Sequence, residues 1–252
     1  VGREGIFLTT MNILKKLKSL ILDNVFPISC LNCGREGEWL CYDCLNDIPI
    51  NTDLKCPLCQ ENTRGAVCQK CSKKISLDGL LVATSYDQKI VQSAIQTLKY
   101  SLVPDLADCL GGLVNKFIIL FDRHFQPAIL NAYYSKILLT AVPLHKKRLL
   151  ERGFNQAELL SLNISGQFEI PYQAGLIYRK RYTAPQAQLT KNERSANISS
   201  AFSFNNNFNV SGKNVIIIDD VATTLSTLNE CAKVLKQAGC RQVWGLVIAR
   251  GG

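Results

Sequence analysis

Three groups of residues in this 252-residue chain have types and spacings suited to chemistry. The first is eight cysteines in four CxxC pairs: Cys30/Cys33, Cys41/Cys44, Cys56/Cys59 and Cys68/Cys71. A CxxC knuckle turns two sulfurs toward one point, and two knuckles make the tetrahedral four-thiolate set that zinc favours. Seven residues separate the first two knuckles and eight the last two. The spacing therefore predicts two consecutive zinc ribbons, one using Cys30, Cys33, Cys41 and Cys44, the other Cys56, Cys59, Cys68 and Cys71. A cross-braced pairing, first knuckle with third and second with fourth, satisfies the same spacing. Four-thiolate sites leave no open coordination position, so the two expected Zn²⁺ ions are structural. A segment this short has little core, so its folding is expected to depend on metal. Cys109, Cys231 and Cys240 stand singly inside helical or strand patterns and read as small core residues.

The second group is "VIIIDDVATTLST", residues 215–227. Asp219 and Asp220 end an apolar strand, and Ala222, Thr223, Thr224, Leu225, Ser226 and Thr227 make the turn into a helical pattern. A helix N-terminus offers unpaired N–H groups and a positive dipole end, which suits phosphate. The neighbouring carboxylates repel phosphate but suit sugar hydroxyls or a metal, so the implied ligand is a sugar phosphate. A Walker B strand has the same look, but its partner GxxxxGK[ST] loop is absent. An N-capped helix with surface aspartates is the plainer alternative.

The third group is basic. His145, Lys146, Lys147, Arg148 and Arg152 crowd what reads as a loop after Pro143, suited to pyrophosphate or a nucleic-acid backbone. The long polar stretch 179–202 adds Arg179, Arg181, Thr183, Gln186 and Arg194, and reads as a functional lid. Between Leu144 and Arg194 there are nine Lys/Arg against four Glu. A solvated basic face is the alternative that asks least of these residues.

The elements that must position these groups are legible after Cys71. Apolar strand patterns at 79–86, 136–144, 174–180, 214–220 and 242–250 alternate with helical patterns at 88–100, 103–121, 155–166 and 226–238. Near-continuous apolar strands imply a sheet covered on both faces, and the alternation implies parallel order. Ligands in such sheets sit at the C-terminal strand ends, near the switch in strand order. Upstream, "MNILKKLKSLILDNVF" reads as an amphipathic helix, with Met11 as the expected working start and residues 1–10 as an extension. The expected domains are 11–75, a helix with the double ribbon, and 76–252, the α/β part.

Bulk composition fits this division. Apolar residues are 47 % and charged residues 19 %, which is globular usage. The formal charge of +9 favours an anionic partner. Eight zinc-bound thiolates would lower it to about +5, still basic. No run of 18 apolar residues is present, so no membrane span is expected. No signal-peptide pattern is found, and cytoplasmic localisation is expected.

Taken together, the cysteine module, "LKY" (98–100), "VPLHKKRLLERGFNQAELL" (142–160), "RYTAPQAQLTKNERSANISSAF" (181–202) and "VIIIDDVATT" (215–224) resemble the ComF family of bacterial competence proteins. The resemblance implies a phosphoribosyltransferase-like fold. Asp219 and Asp220 would hold the ribose hydroxyls of phosphoribosyl pyrophosphate (PRPP), and residues 222–227 its 5-phosphate. The basic segment would face the pyrophosphate with Mg²⁺, and 179–202 would close over it. The family is associated with natural transformation, so it implies single-stranded DNA, the competence helicase and recombination-loading proteins as partners. Phe154, Tyr178 and Tyr182 offer stacking surfaces for bases. Leu225 departs from the family pattern, which has glycine there. Leucine is costly in a left-handed turn. The loop is therefore expected either to take another path or to bind PRPP weakly, with catalysis impaired or absent. The two other readings are an active PRPP-dependent transferase and a zinc-dependent protein-interaction scaffold.

Overall fold

The computed structural model describes residues 28–101, 103–125, 137–181 and 200–251. The extension 1–10, the helix expected after Met11, Tyr182 and the lid residues Thr183, Gln186 and Arg194 lie outside the described residues. The chain forms two compact units, Val1–Asn46 and Asp47–Gly252. The first contains the first two knuckles and a short helix α1 (Tyr42–Asn46), with an antiparallel bridge between Ser29 and Glu36.

The second unit starts earlier than expected. The boundary falls after Asn46, so the second cysteine pair set belongs with the α/β part rather than with the first. The cause is backbone hydrogen bonding to strand β1 (Gly79–Ser85) and to the residue before it. Asn51 donates to Ala83 O at 2.8 Å, Leu80 to Gly65 O at 2.8 Å, and Val67 to Asp78 O at 2.8 Å. The Thr84 hydroxyl donates to Pro49 O at 2.7 Å. Gly65 has φ +86, and a Cβ there would come within 2.7 Å of Leu80 O, so this close approach needs glycine.

After β1 come α2 (Lys89–Tyr100), α3 (Leu106–Phe125), β2 (Ile137–Ala141), α4 (Lys146–Arg152) and α5 (Gln156–Phe168). The chain continues with β3 (Ile177–Arg179), β4 (Phe202–Phe204), β5 (Asn214–Ala222), α6 (Ser226–Gln237) and β6 (Gln242–Arg250). Four strands form a parallel sheet in the order β1-β6-β5-β2. Residues 171–173 flank β2 through Leu139 N–Pro171 O (2.8 Å) and Gln173 N–Leu139 O (2.9 Å). The expected strand 174–180 is not in this sheet. Its three regular residues pair antiparallel with β4, because Tyr178 is exposed and the segment has no second apolar face to bury.

The connections set the ligand end. From β2 the chain crosses through α5 to 171–173, away from β5, whereas from β5 it crosses through α6 to β6. Right-handed crossovers in opposite directions put α5 and α6 on opposite faces. The strand order therefore switches between β2 and β5, and the crevice at their C-terminal ends is the place where such sheets bind ligands. Leu110, Leu113 and Phe117 of α3, Leu160 and Ile164 of α5, and Leu228 and Leu235 of α6 are buried, so the strands read as continuous apolar runs.

Candidate functional site

Strand β5 carries its two acids into that crevice. Side chains alternate along a strand, so Asp219 and Asp220 point to opposite faces. Asp220 is buried, and its Oδ2 lies 2.7 Å from Lys99 Nζ. Its Oδ1 accepts from Val221 N at 2.8 Å. Burial and the neighbouring Asp220 raise Asp219 well above the ordinary carboxylate range, with Lys99 pulling the other way. Burial opposes the charge on Lys99, but the Asp220 carboxylate outweighs it and keeps the ammonium above its ordinary value.

The turn that follows keeps the path a glycine would take. Leu225 has φ 62 and ψ −4, a left-handed conformation, and sits at the N-cap of α6. Its side chain is only 5 % exposed. The expectation that leucine diverts the loop is thus corrected: burying the side chain, worth about 1.5–3 kcal/mol, offsets a strain of roughly 1–2 kcal/mol. No side chain caps α6, and a helix's first N–H groups have no intrahelical acceptor. The Thr224 and Ser226 hydroxyls lie 3.0 Å apart. Asp219 and residues 221–228 line a small cleft of about 20 Å³.

The basic segment is not a loop. Lys146–Arg152 is helical, and His145 is its N-cap, its Nδ1 accepting from Lys147 N at 3.2 Å. The histidine thus has a local structural task. Gly153, at φ 73, ends the helix. Lys146 and Lys147 are exposed, Arg148 and Arg152 half-buried. The Arg152 guanidinium lies 5.4 Å from the centre of the Tyr100 ring. Lys99 and Tyr100, both from the "LKY" end of α2, therefore join Asp220 and Arg152. The sequence marks both only as part of the "LKY" motif and gives neither a role in the site. The available signal was a lysine next to fully buried Leu98 at the end of an amphipathic helix.

The β3–β4 hairpin is the base of the expected lid. Arg179 packs its guanidinium 5.3 Å from the Phe202 ring centre, and Lys180 N donates to Ala201 O at 2.8 Å. Arg181 is exposed. Ser200 N donates to Glu230 Oε2 of α6 at 3.1 Å, which ties the hairpin to the helix behind the turn 222–227.

The cysteines form two separate clusters. The sulfurs of Cys30, Cys33, Cys41 and Cys44 lie within 4.8 Å of one another, as do those of Cys56, Cys59, Cys68 and Cys71. Pairing is consecutive, and cross-bracing is excluded. Sulfur separations of 3.6 Å (Cys33–Cys41) and 3.5 Å (Cys59–Cys68) match the edge of a tetrahedron with metal–sulfur bonds of about 2.3 Å, roughly 3.8 Å. The donor set thus fits a tetrahedral thiophilic metal. Burial opposes ionisation of Cys30, but N–H donors of Cys33, Cys41 and Asn32 outweigh it and bring the thiol down to about 6. Cys56 is lowered to about 6 in the same way, against burial, by N–H donors of Cys68, Cys59 and Leu58. Cys231 and Cys240 are buried and Cys109 half-buried, as expected of core residues. Among the described residues no helix is long and apolar enough to cross a membrane.

Residues 151–251 match the phosphoribosyl transferase domain, and with the parallel sheet this makes the second unit a phosphoribosyltransferase-like domain. DNA utilization protein YhgH of Escherichia coli O157:H7 is 30 % identical over 215 residues, covering 83 % of this chain and 91 % of that protein. Competence protein F of Haemophilus influenzae is 41 % identical over 113 residues, 43 % of this chain. That match spans 48 % of the Haemophilus protein, about half its length. Competence protein ComFC of Bacillus subtilis is 29 % identical over 208 residues, 81 % of each chain. The chain belongs to the ComF family. Purine phosphoribosyltransferase from Pyrococcus horikoshii is a looser structural likeness, with TM-score 0.30 and 17 % identity over 61 % of this chain and 86 % of that one. At that TM-score it has no bearing on function.

Proposed function

We propose that this chain serves natural transformation by handling incoming single-stranded DNA in the cytoplasm, with the phosphoribosyltransferase-like domain retained as a binding platform. The names of its relatives, Competence protein F and Competence protein ComFC, point this way. The observation that carries the reading is the basic edge beside the crevice. There α4 presents exposed Lys146 and Lys147, and Arg152 stacks on exposed Tyr100. Cations interleaved with an aromatic ring suit a single strand, whose phosphates and bases need both. Zn²⁺ is the metal we assign to both cysteine clusters, where it would hold the knuckles closed without catalysing anything. The competence helicase and recombination-loading proteins are the partners this role calls for.

The test is fluorescence anisotropy with a labelled oligonucleotide. Affinity should fall with salt, by a log–log slope of about −0.7 for each phosphate contacted. Arg148→Ala combined with Arg152→Ala should weaken binding and flatten that slope. Salt-independent binding, or none, would remove the DNA role.

A second reading is favoured by one feature. The turn 222–227 keeps its left-handed residue and opens α6 without a side-chain cap, which suits a sugar phosphate such as PRPP. In that case Asp220 would face the ribose hydroxyls, and Mg²⁺ would arrive with the pyrophosphate. Calorimetry with Mg²⁺ and PRPP decides it: no heat at concentrations well above micromolar would eliminate this ligand.

A further inference from the structure

A cavity of about 550 Å³ lies within the second unit, between the second cysteine module and β1. It is separate from the cleft at the turn 222–227, and its size falls in the usual range for small-ligand sites, roughly 300–1,000 Å³. Its floor is aliphatic: Leu54, Leu80 and Val82 are buried there, beside Thr84. Its rim is polar, and no aromatic residue is among those that line it.

The rim chemistry restricts the occupant. Lys55 is matched by Asp53 at 2.6 Å, and Arg250 is opposed by Asp87 on the same rim, so the charges balance and phosphate is not favoured. Arg250 spends one nitrogen on Pro57 O at 2.7 Å and keeps the rest of its fork. Asp87 takes the Ser85 hydroxyl at one oxygen. Among the described residues the Gln60 amide has no hydrogen-bond partner, and Asn51 uses only its oxygen, toward Asp53 N. An amide, a guanidinium and a carboxylate above an aliphatic floor are the groups that read the edge of a planar heterocyclic base.

The second cysteine cluster anchors Arg250 and fixes the backbone of Gln60. Gln60 directly follows Cys59, is left-handed at φ 64, and donates its N–H to Cys56 O at 3.0 Å. Pro57, which anchors Arg250, lies inside the same knuckle. Closing the knuckle therefore fixes the Gln60 backbone and the carbonyl that anchors the guanidinium.

We propose that this cavity is a binding site for one unpaired nucleobase, carried by a single strand or by a free nucleoside. It deepens the single-strand reading above, on which the first of these two sources rests. The absence of aromatic lining gives a readout. 2-Aminopurine is quenched when stacked and bright when isolated among aliphatic groups. An oligothymidylate with one 2-aminopurine should gain emission several-fold on binding the intact zinc-loaded chain. Gln60→Ala should weaken the affinity read by this response roughly 5- to 150-fold, the range for losing one good base-edge contact. Ser85→Leu, at an exposed rim position, should abolish the gain by blocking entry. Emission that is unchanged or further quenched on binding would overturn the proposal, since the base would then stay stacked or lie on an aromatic ring. So would a gain indifferent to both substitutions. Should the oligonucleotide fail to bind, calorimetry with 2-aminopurine deoxyriboside becomes the arbiter. Binding lost in Ser85→Leu then supports a free-nucleoside site while the DNA role falls, and no binding overturns the site.

Discussion

Leu225→Gly separates strain from packing at the turn between β5 and α6. The leucine holds φ 62 with its side chain 5 % exposed. Truncating a buried leucine to alanine costs about 2–5 kcal/mol. Relieving the left-handed strain returns roughly 1–2 kcal/mol. Glycine should therefore leave the domain about 1–3 kcal/mol less stable, a fall in Tm of about 2–10 °C at this domain size. Leu225→Ala loses the packing and keeps the strain. It should lie about 0.5–1 kcal/mol below the glycine variant, even after glycine's larger unfolded-state entropy is counted. In an ordinary helix the order is reversed, with alanine the more stable. Urea unfolding of the zinc-loaded proteins measures both, and calorimetry with Mg²⁺ and PRPP follows binding. The glycine variant should bind sugar phosphate more tightly, because the backbone can then curl around the phosphate without a side chain to bury. Alanine equal to or more stable than glycine would show that residue 225 is not left-handed in solution. Unchanged affinity in the glycine variant would show that the leucine does not limit the site.

Other expectations follow from the same geometry. Lys99→Met should cost about 2–4 kcal/mol, below the usual range for a broken buried pair because Lys99 stays one-fifth exposed, and Lys99→Met with Asp220→Asn should cost less than Lys99→Met alone; urea unfolding reads both. Asp219 is raised from 3.8 to about 8, so the folded state holds a proton that the unfolded state has released, and stability should fall as pH rises through that window. Asp219→Asn should remove most of this slope, giving a higher Tm than wild type at pH 8 and little difference at pH 4. Metal analysis should return two zinc ions per chain. Replacing Cys56 and Cys59 with serine should lower the unfolding midpoint of the α/β unit, whereas replacing Cys30 and Cys33 should not, because only the second cluster lies in that unit.

The parts legible in the sequence are those in which side chains carry the signal. Strands β1, β5 and β6 fell within one or two residues of their expected bounds, because each is a continuous apolar run with polar ends. Cysteine spacing located both clusters, although only geometry separated consecutive from cross-braced pairing. Helix α4 was missed because "KKRLLER" buries none of its residues and so has no apolar period, while Leu149 and Leu150 are exposed. Strand β4 is three residues long, and its partner lies across residues 182–199. The unit boundary was misplaced for another reason. Residues 49–67 attach to β1 mainly through backbone hydrogen bonds, which leave little side-chain signal apart from the glycine at Gly65. Composition therefore changed after Cys71, while the fold changed after Asn46.

The pair Asp219–Asp220 reads differently once Lys99 is placed. Adjacent acids in a sequence suggest one dianionic site, but strand alternation divides them between two faces. Asp220 is already neutralised by an ammonium at 2.7 Å, and Asp219 is held toward its protonated form. The acidic strand end is therefore electrically quiet. A cation would have to displace Lys99, whereas an anion would find its charge partly available once Asp220 was engaged elsewhere. A ribose fits this arrangement, since its hydroxyls can donate to Asp220 while the phosphate or pyrophosphate it carries draws Lys99 away. Lys99 also feels repulsion from Arg152, which is stacked on the adjacent Tyr100, so that edge favours a multiply charged anion over a single one. Pyrophosphate on a sugar and the backbone of a single strand both meet this requirement. On the proposed reading, the crevice would select by charge spacing before chemistry, which would let one phosphoribosyltransferase-like edge suit either ligand.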